Sequence, residues 1–185
     1  FLAAMQVTGI NVVKQAYQRG YEFNMWTGQE LLMDDFIAGA SAEATEGITS
    51  WTPGQDETTD TWGVFSKAYA EMWGEVPQGG WYQAETYDAF VVTALAMIAG
   101  GETTGKAADA NLAMVANPPG VIVTTFAEGV AALAAGKDIN YEGPSGSVDF
   151  NDNGDAGAPA VKILKVINGE WVTQAIIDAT NFPAN

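Results

Sequence analysis

The chain has 185 residues with 23 acidic and 7 basic side chains, a formal net charge of −16, and neither histidine nor cysteine. The lack of cysteine excludes disulfides and thiolate ligands, and the lack of histidine removes the commonest general base and zinc ligand. Such an acidic surface disfavours nucleic acid as a partner, and no apolar run reaches the roughly 20 residues of a membrane-spanning helix. We therefore expect neither a nucleic-acid-binding protein nor a membrane-spanning one.

The first part of the chain alternates between strand-like and helical patterns. Phe1–Gln6 is an apolar run of strand length, Ile10–Arg19 has helical spacing, and Tyr21–Trp26 is a second strand-like run. This order predicts a βαβ unit and a parallel sheet. Ligands of open parallel sheets bind beyond the carboxyl ends of the strands, so Met5–Thr8 and Thr27–Glu30 are candidate ligand positions.

Helical patterns dominate the middle of the chain, and the end is strand-like. Helices are predicted at Leu31–Ala38, Trp62–Trp73, Thr86–Ala99, Lys106–Ala116 and Phe126–Ala135, and strands at Ile48–Trp51, Ala160–Ile167 and Trp171–Ile176. Thr52–Thr61 lacks apolar side chains and is predicted to be a loop. Asn168-Gly169 is typical of a two-residue hairpin turn. Trp81 and Tyr82 precede a helix, where such rings either wall a ligand cleft or anchor the loop to the core.

One stretch carries a metal-like pattern. Asp149, Asn151 and Asn153 followed by Gly154 repeat the opening of an EF-hand calcium loop. Such a loop needs a bidentate carboxylate at its twelfth position, which here is Ala160, and a helix on each side, where this sequence predicts strands. We therefore interpret the stretch as a turn and predict no metal site and no cofactor.

An enzyme of this composition would depend on carboxylates alone. The adjacent acids Asp34-Asp35 lie in a predicted helix and point to different faces, and Asp56-Glu57 lies in a predicted loop. Neither pair converges across a cleft, as the members of an acid–base dyad must. The sequence therefore favours a protein that is not an enzyme.

Several segments, in this order, resemble one family. They are GQELLMDDFIAGASAEATEGI at residues 28–48, TYDAF at 86–90 with a helix ending in Ala-Gly-Gly, and KDINYEGPSGSVDFNDNGD at 137–155 before the Asn-Gly turn and Trp171-Val172. Together they resemble the C-terminal part of type I periplasmic solute-binding proteins of ABC importers, most closely the branched-chain amino-acid-binding (Leu-Ile-Val-binding) group. The resemblance spans essentially the whole chain.

The resemblance implies an α/β protein of two Rossmann-like lobes with parallel sheets joined by a hinge, of which this chain lacks the N-terminal part. Residues 1–51 would end the second lobe, 52–141 would return to the first, and 142–185 would form the crossover and the final strands of the second. The implied function is capture of a small polar solute between the lobes and delivery to an ABC permease. A sensory or regulatory module of the same fold is the alternative. A monomer in the periplasm or another extracytoplasmic space is implied, with a lipid anchor on the absent N-terminal part as one option.

The resemblance also implies ligand contacts. The family has an aromatic residue after the first strand, and this position falls at Met5, with Gln6 beside it. The family's acid that meets the ligand's ammonium group falls at Gln29, with Glu30 next to it. The family's cleft aromatic falls at Tyr82, with Trp81 beside it.

Met5 and Gln29 depart from the amino-acid-binding pattern. A neutral amide such as Gln29 cannot neutralise a buried ammonium group, whose desolvation requires a charged partner. Unless Glu30 takes that role, the sequence favours an amide, a urea-like solute or a carboxylate over an α-amino acid.

Overall fold

A computed structural model describes residues 1–22, 24–77, 81–157 and 160–178. The contacts divide the chain into two compact units: unit 1 contains Phe1–Pro53 and the chain from Ala160 onward, and unit 2 contains Gly54–Pro159. The units therefore change over at 53/54 and 159/160, whereas the resemblance implied changes at 51/52 and 141/142. The assignment of these segments to the lobes of a larger protein stays a prediction.

The helices are α1 (Gln6–Gln18), α2 (Asp34–Ala40), α3 (Ala42–Thr45), α4 (Asp60–Trp73), α5 (Gln83–Gly100), α6 (Gly105–Ala116) and α7 (Phe126–Ala134), with a 3₁₀ turn at Gln29–Leu31. The strands are β1 (Trp26–Thr27), β2 (Thr49–Gly54), β3 (Val121–Val123), β4 (Ile139–Gly143), β5 (Gly146–Ser147), β6 (Ala160–Ile167) and β7 (Glu170–Asp178). The predicted helices from α4 onward are confirmed to within three residues at each end, whereas β3, β4 and β5 were not predicted.

The parallel pairing predicted for the start of unit 1 is confirmed. Leu2 forms a parallel bridge with Thr27, the Leu2 N–H donates to the Trp26 carbonyl at 2.8 Å, and β1 pairs with β2 in parallel. Beyond this bridge the predicted first strand is wrong, because α1 already begins at Gln6. Gly9 lies within α1 and packs closely on Leu31, since a Cβ there would lie 2.6 Å from Leu31 Cδ2.

The sheet of unit 1 has the strand order β1–β2–β6–β7. The hairpin turn predicted between β6 and β7 is confirmed, since Asn168 and Gly169 have φ angles of 54° and 78°, as a type I′ turn requires. Phe36 stacks on Trp171 with ring centroids 6.3 Å apart. The buried core of the unit comprises Val13, Met25, Leu31, Phe36, Ile37, Ala40, Ile48 and Val166.

Unit 2 packs α5, α6 and α7 against a sheet of order β3–β4–β5, in which β3–β4 is parallel and β4–β5 antiparallel. Its core comprises Val91, Val92, Leu95, Ala96, Val115, Ala116, Val123, Ile139 and Tyr141. The apolar side chains of α5 do not all face this core, because Tyr87, Phe90 and Ile98 are exposed. The buried face instead includes an acid, Asp88.

Asp88 is fully buried and joins α5 to the β4–β5 hairpin. Its carboxylate accepts hydrogen bonds from the Tyr141 hydroxyl at 2.7 Å and from the backbone N–H and hydroxyl of Ser145 at 2.8 and 2.5 Å. Burial raises the pKa of Asp88, against the lowering effect of these donors. Burial and the charge of Asp88 also raise the pKa of Tyr141, which keeps its hydroxyl a donor. A Cβ on Gly143 would collide with the carboxylate, so glycine permits this close approach.

A second acid, Glu85, lies one turn before Asp88 on α5. Both of its carboxylate oxygens are buried, and no donor from another described residue reaches them. Burial raises the pKa of Glu85, and the negative charge of Asp88 raises it further. The folded state therefore favours protonated Glu85 more than the unfolded state does.

The turn predicted at residues 149–154 is confirmed. Phe150 and Ala156 form an antiparallel bridge, and Asn151 Oδ1 accepts the backbone N–H groups of Asn153 at 2.9 Å and Asp155 at 3.0 Å.

We expect Tyr141→Phe to lower the free energy of unfolding by about 1–3 kcal/mol, because a buried acceptor on Asp88 loses a donor. Urea denaturation of wild type and of Tyr141→Phe measures the change in the free energy of unfolding. Tyr21→Phe removes a hydroxyl from a side chain that is 61% exposed and serves as the control. Equal stability of Tyr141→Phe and Tyr21→Phe would show that the Tyr141 hydrogen bond contributes nothing.

We expect Glu85→Gln to stabilise the chain increasingly as pH rises above the ordinary carboxyl pKa of 4.5. A raised pKa in the folded state gives stability that is complete below the unfolded-state pKa and is lost as pH rises through the folded-state pKa. The neutral amide of glutamine does not undergo that loss. Melting temperatures measured from about pH 4 to about pH 8 should therefore diverge by a few degrees. Glu102→Gln, at the end of the same helix, is the control, and an equal divergence for it would contradict the burial argument.

Candidate functional site

The predicted ligand residues of unit 1 lie at the ends of paired strand segments. Met5 follows the Leu2 bridge, immediately precedes α1 and is 75% exposed. Gln6 is the first residue of that helix and is partly buried. Gln29, partly buried, and Glu30, exposed, open the 3₁₀ turn that follows β1.

A buried serine holds the start of this 3₁₀ turn. The Ser50 hydroxyl, on β2, lies 3.3 Å from the Thr27 carbonyl and 3.1 Å from the Gly28 carbonyl, to which it donates. The Gly28 carbonyl also accepts the Leu31 N–H at 3.3 Å. A Cβ on Gly28 would collide with the Glu30 carboxylate, so the absence of a side chain lets that carboxylate fold back over the backbone. Ser50 and Gly28 thus fix the backbone that presents the side chains of Gln29 and Glu30.

The structure brings the pair Met5 and Gln6 and the pair Gln29 and Glu30 to one edge of the sheet of unit 1. Because the Leu2–Thr27 bridge and the β1–β2 ladder are parallel, the segments that follow Leu2 and Thr27 leave the sheet on the same side. The first turns of α1 pack against the 3₁₀ turn through Gly9 and Leu31. The strand-end rule therefore locates one polar edge in unit 1.

Thr27 opens the predicted range Thr27–Glu30 and belongs to the same edge, although it was not named as a ligand contact. Its side chain is fully buried, and its hydroxyl oxygen has no hydrogen-bond partner among the described parts of the chain. The strand-end rule located Thr27 but not its burial, which depends on the neighbouring β2.

Trp81 and Tyr82 lie together in unit 2, directly before α5. Tyr82 adopts a left-handed backbone conformation, with φ 59° and ψ 17°, and its carbonyl accepts the Thr86 N–H at 2.8 Å. This conformation is uncommon for a bulky residue and fixes the direction in which the ring leaves the helix. Tyr82 is 42% exposed and Trp81 is partly buried, so part of the tyrosine is accessible to a ligand.

A cavity of about 260 Å³ within unit 2 is lined in part by the first turns of α5. Its walls comprise Glu85, Asp88, Ala89, Val92, Thr93, Leu112, Ser145, Ser147, Val148, Phe150, Ala156 and Gly157. None of the predicted ligand residues lines it.

Within 1–22, 24–77, 81–157 and 160–178, no three or more acidic side chains are grouped so as to hold a metal ion. None of the helices in those ranges is long and apolar enough to cross a membrane.

Comparison with protein-family models and with curated proteins found no match. Comparison with solved structures found similar folds. The leucine-binding protein LivK of Thermotoga maritima superimposes with a TM-score of 0.70 at 20% identity, over 97% of this chain and 44% of its own. The branched-chain amino-acid-binding protein LivJ of Streptococcus pneumoniae, in complex with isoleucine, superimposes with a TM-score of 0.61 at 18% identity. The match covers 93% of this chain and 43% of LivJ. A solute-binding protein of R. palustris, in complex with benzoate, superimposes with a TM-score of 0.59 at 13% identity. The match covers 96% of this chain and 42% of that protein.

These likenesses establish the fold. The chain spans less than half the length of each of these solved structures. Over that length it has the α/β fold of type I periplasmic binding proteins, and the resemblance found in the sequence is confirmed at the level of the fold.

Proposed function

We propose that the chain is part of an extracytoplasmic solute-binding protein, not an enzyme, that binds a small polar solute and delivers it to an ABC permease. The observation that supports this proposal most strongly is the superposition on a leucine-binding protein over 97% of the chain. The same fold carries isoleucine in one solved protein and benzoate in another. The fold therefore accommodates solutes with and without an amino group.

The proposed ligand contacts are the polar edge of unit 1 and the aromatic pair of unit 2. In unit 1 these are Met5, Gln6, Gln29 and Glu30, and in unit 2 they are Trp81 and Tyr82. Three features support them: the strand-end position, the backbone held by Ser50, and the partial exposure of Tyr82. Such a set combines apolar contact area with a few oriented polar groups, as small-molecule sites usually do.

The solute class depends on which side chain at the unit 1 edge carries charge. Gln29 offers an amide, which can donate to a carboxylate or pair with another amide. Glu30 offers a carboxylate, but it is exposed and folds back over Gly28. An exposed carboxylate is screened by water and stabilises an ammonium group weakly. We therefore propose an amide, a urea-like solute or a carboxylate as the ligand.

We expect Tyr82→Ala to weaken solute binding at least tenfold, which corresponds to about 1.4 kcal/mol. The loss follows from removal of a large, rigid contact surface. Isothermal titration on the full-length protein that contains this chain measures the affinity. Tyr21→Ala, which removes an exposed tyrosine of unit 1, is the control. An unchanged affinity for Tyr82→Ala would remove Tyr82 from the site.

We expect Gln29→Glu to shift the preference of the protein toward α-amino acids, by roughly tenfold or more relative to amides and carboxylates. The reason is that the new carboxylate supplies the charge that a bound ammonium requires. Titration of leucine, acetamide, urea and benzoate into wild type and variant measures the shift.

Glu30→Gln is the matched control for this experiment. If wild type already binds leucine and Glu30→Gln abolishes that binding, Glu30 is the ammonium partner and the proposed solute class is wrong. If none of these solutes binds wild type or variant, the proposed location of the site is wrong.

A further inference from the structure

The β4–β5 hairpin of unit 2 carries polar side chains on one of its faces. The two strands pair in antiparallel register, with Glu142 opposite Ser147. Because side chains alternate along a strand, Asn140 and Glu142 share one face of β4, while Tyr141 between them packs into the core of the unit. Asp149 lies two residues beyond the end of β5, and its charge acts on the Glu142 carboxylate.

Two oxygen atoms in this region are buried without a partner. Asn140 is only 8% exposed, and its Oδ1 accepts no hydrogen bond from the described residues. Asp149 Oδ1 is likewise buried and unpaired within that part of the chain. The Asn140 amide contacts one of the acids, since its Nδ2 donates to Glu142 Oε1 at 3.1 Å. Buried oxygens of this kind normally have a hydrogen-bond donor, a water molecule or a cation as partner.

The electrostatics favour a cation over a neutral donor. Glu142 and Asp149 both bring a carboxylate to this region, and their negative charges repel each other. A positive ion between the two side chains would remove this repulsion and would also pair the unsatisfied oxygens. Lysine and arginine are scarce in this chain, with 7 in total.

We propose that Asn140, Glu142 and Asp149 bind a hard divalent cation, with Ca²⁺ as the ion that this set suits best. Two carboxylates and an amide carbonyl are oxygen donors of the type that Ca²⁺ takes, and Ca²⁺ tolerates irregular geometry where Mg²⁺ requires a near-ideal octahedron. Water molecules would complete the coordination.

This site differs from the calcium-loop pattern in the sequence, although the two share Asp149. In the loop pattern Asn151 would be a ligand, but its Oδ1 already accepts the N–H groups of Asn153 and Asp155. The proposed ligands come instead from β4 and from the segment that follows β5, and Asn140 and Glu142 lie outside the motif.

Calcium binding to chelator-treated protein tests the proposal. We expect the melting temperature to rise by about 3–6 °C at a Ca²⁺ concentration near ten times Kd, compared with NaCl of equal ionic strength. Asp149→Asn should abolish the rise. Asp152→Asn removes the same charge from an exposed position three residues along the chain, and should retain the rise.

Equilibrium dialysis with ⁴⁵Ca²⁺ gives a readout that does not depend on stability. One bound ion per wild-type chain, retained in Asp152→Asn and lost in Asp149→Asn, supports the site. If Asp149→Asn fails to fold, Asn140→Asp replaces it and should bind Ca²⁺ at least tenfold more tightly than wild type. No bound ion in wild type, or equal binding by Asp149→Asn and Asp152→Asn, overturns the proposal.

Discussion

The buried carboxylate of Asp88 is the constraint on which unit 2 depends. It ties the middle of one helix to a hairpin that follows it by more than fifty residues, through Tyr141 and Ser145. Its burial is tolerated because donors surround it, whereas an unpaired buried charge would destabilise the fold strongly. The absence of a side chain at Gly143 lets the hairpin approach closely enough for those bonds. One polar group thereby sets how α5 meets β4.

The residues at the start of α5 differ in burial. Glu85 lies one turn before Asp88, and its carboxylate oxygens are buried without a donor from another described residue. Tyr82, before the first turn, stays partly exposed. The direction of this candidate ligand-binding ring follows from its left-handed backbone conformation.

The sequence predicted what depends on local pattern. Helical spacing located α4 to α7, and Asn168-Gly169 located the final hairpin, because periodicity and turn chemistry are properties of neighbouring residues. Prediction from the sequence failed where tertiary contacts override the local pattern. Phe90 and Ile98 of α5 are apolar but exposed, whereas the charged Asp88 is buried, since Asp88 finds its donors only in the folded hairpin.

In the candidate site, too, local pattern predicts some features and tertiary contacts determine the others. Met5 and Gln29 follow from the rule for strand ends, which needs only the order of the elements. The roles of Ser50 and Thr27 cannot be inferred in that way, because both depend on the alignment of β2 with β1, a contact between distant segments. The ligand chemistry of Gln29 is readable from its side chain, but the backbone that presents it is not.

The acidic side chains with shifted pKa values fall into two groups with opposite effects on stability. Glu128 in the capping box of α7 accepts N–H groups, which lowers its pKa, and Glu43 and Asp56 have lowered pKa values for similar reasons. Such groups stabilise the fold above their unfolded-state pKa, and that stability is lost as pH falls. Glu85 and Glu142 have pKa values raised by burial, so the stability linked to them is lost as pH rises. A chain with 23 acids is therefore limited from both sides of pH, and a cation at Glu142 would relieve the upper limit.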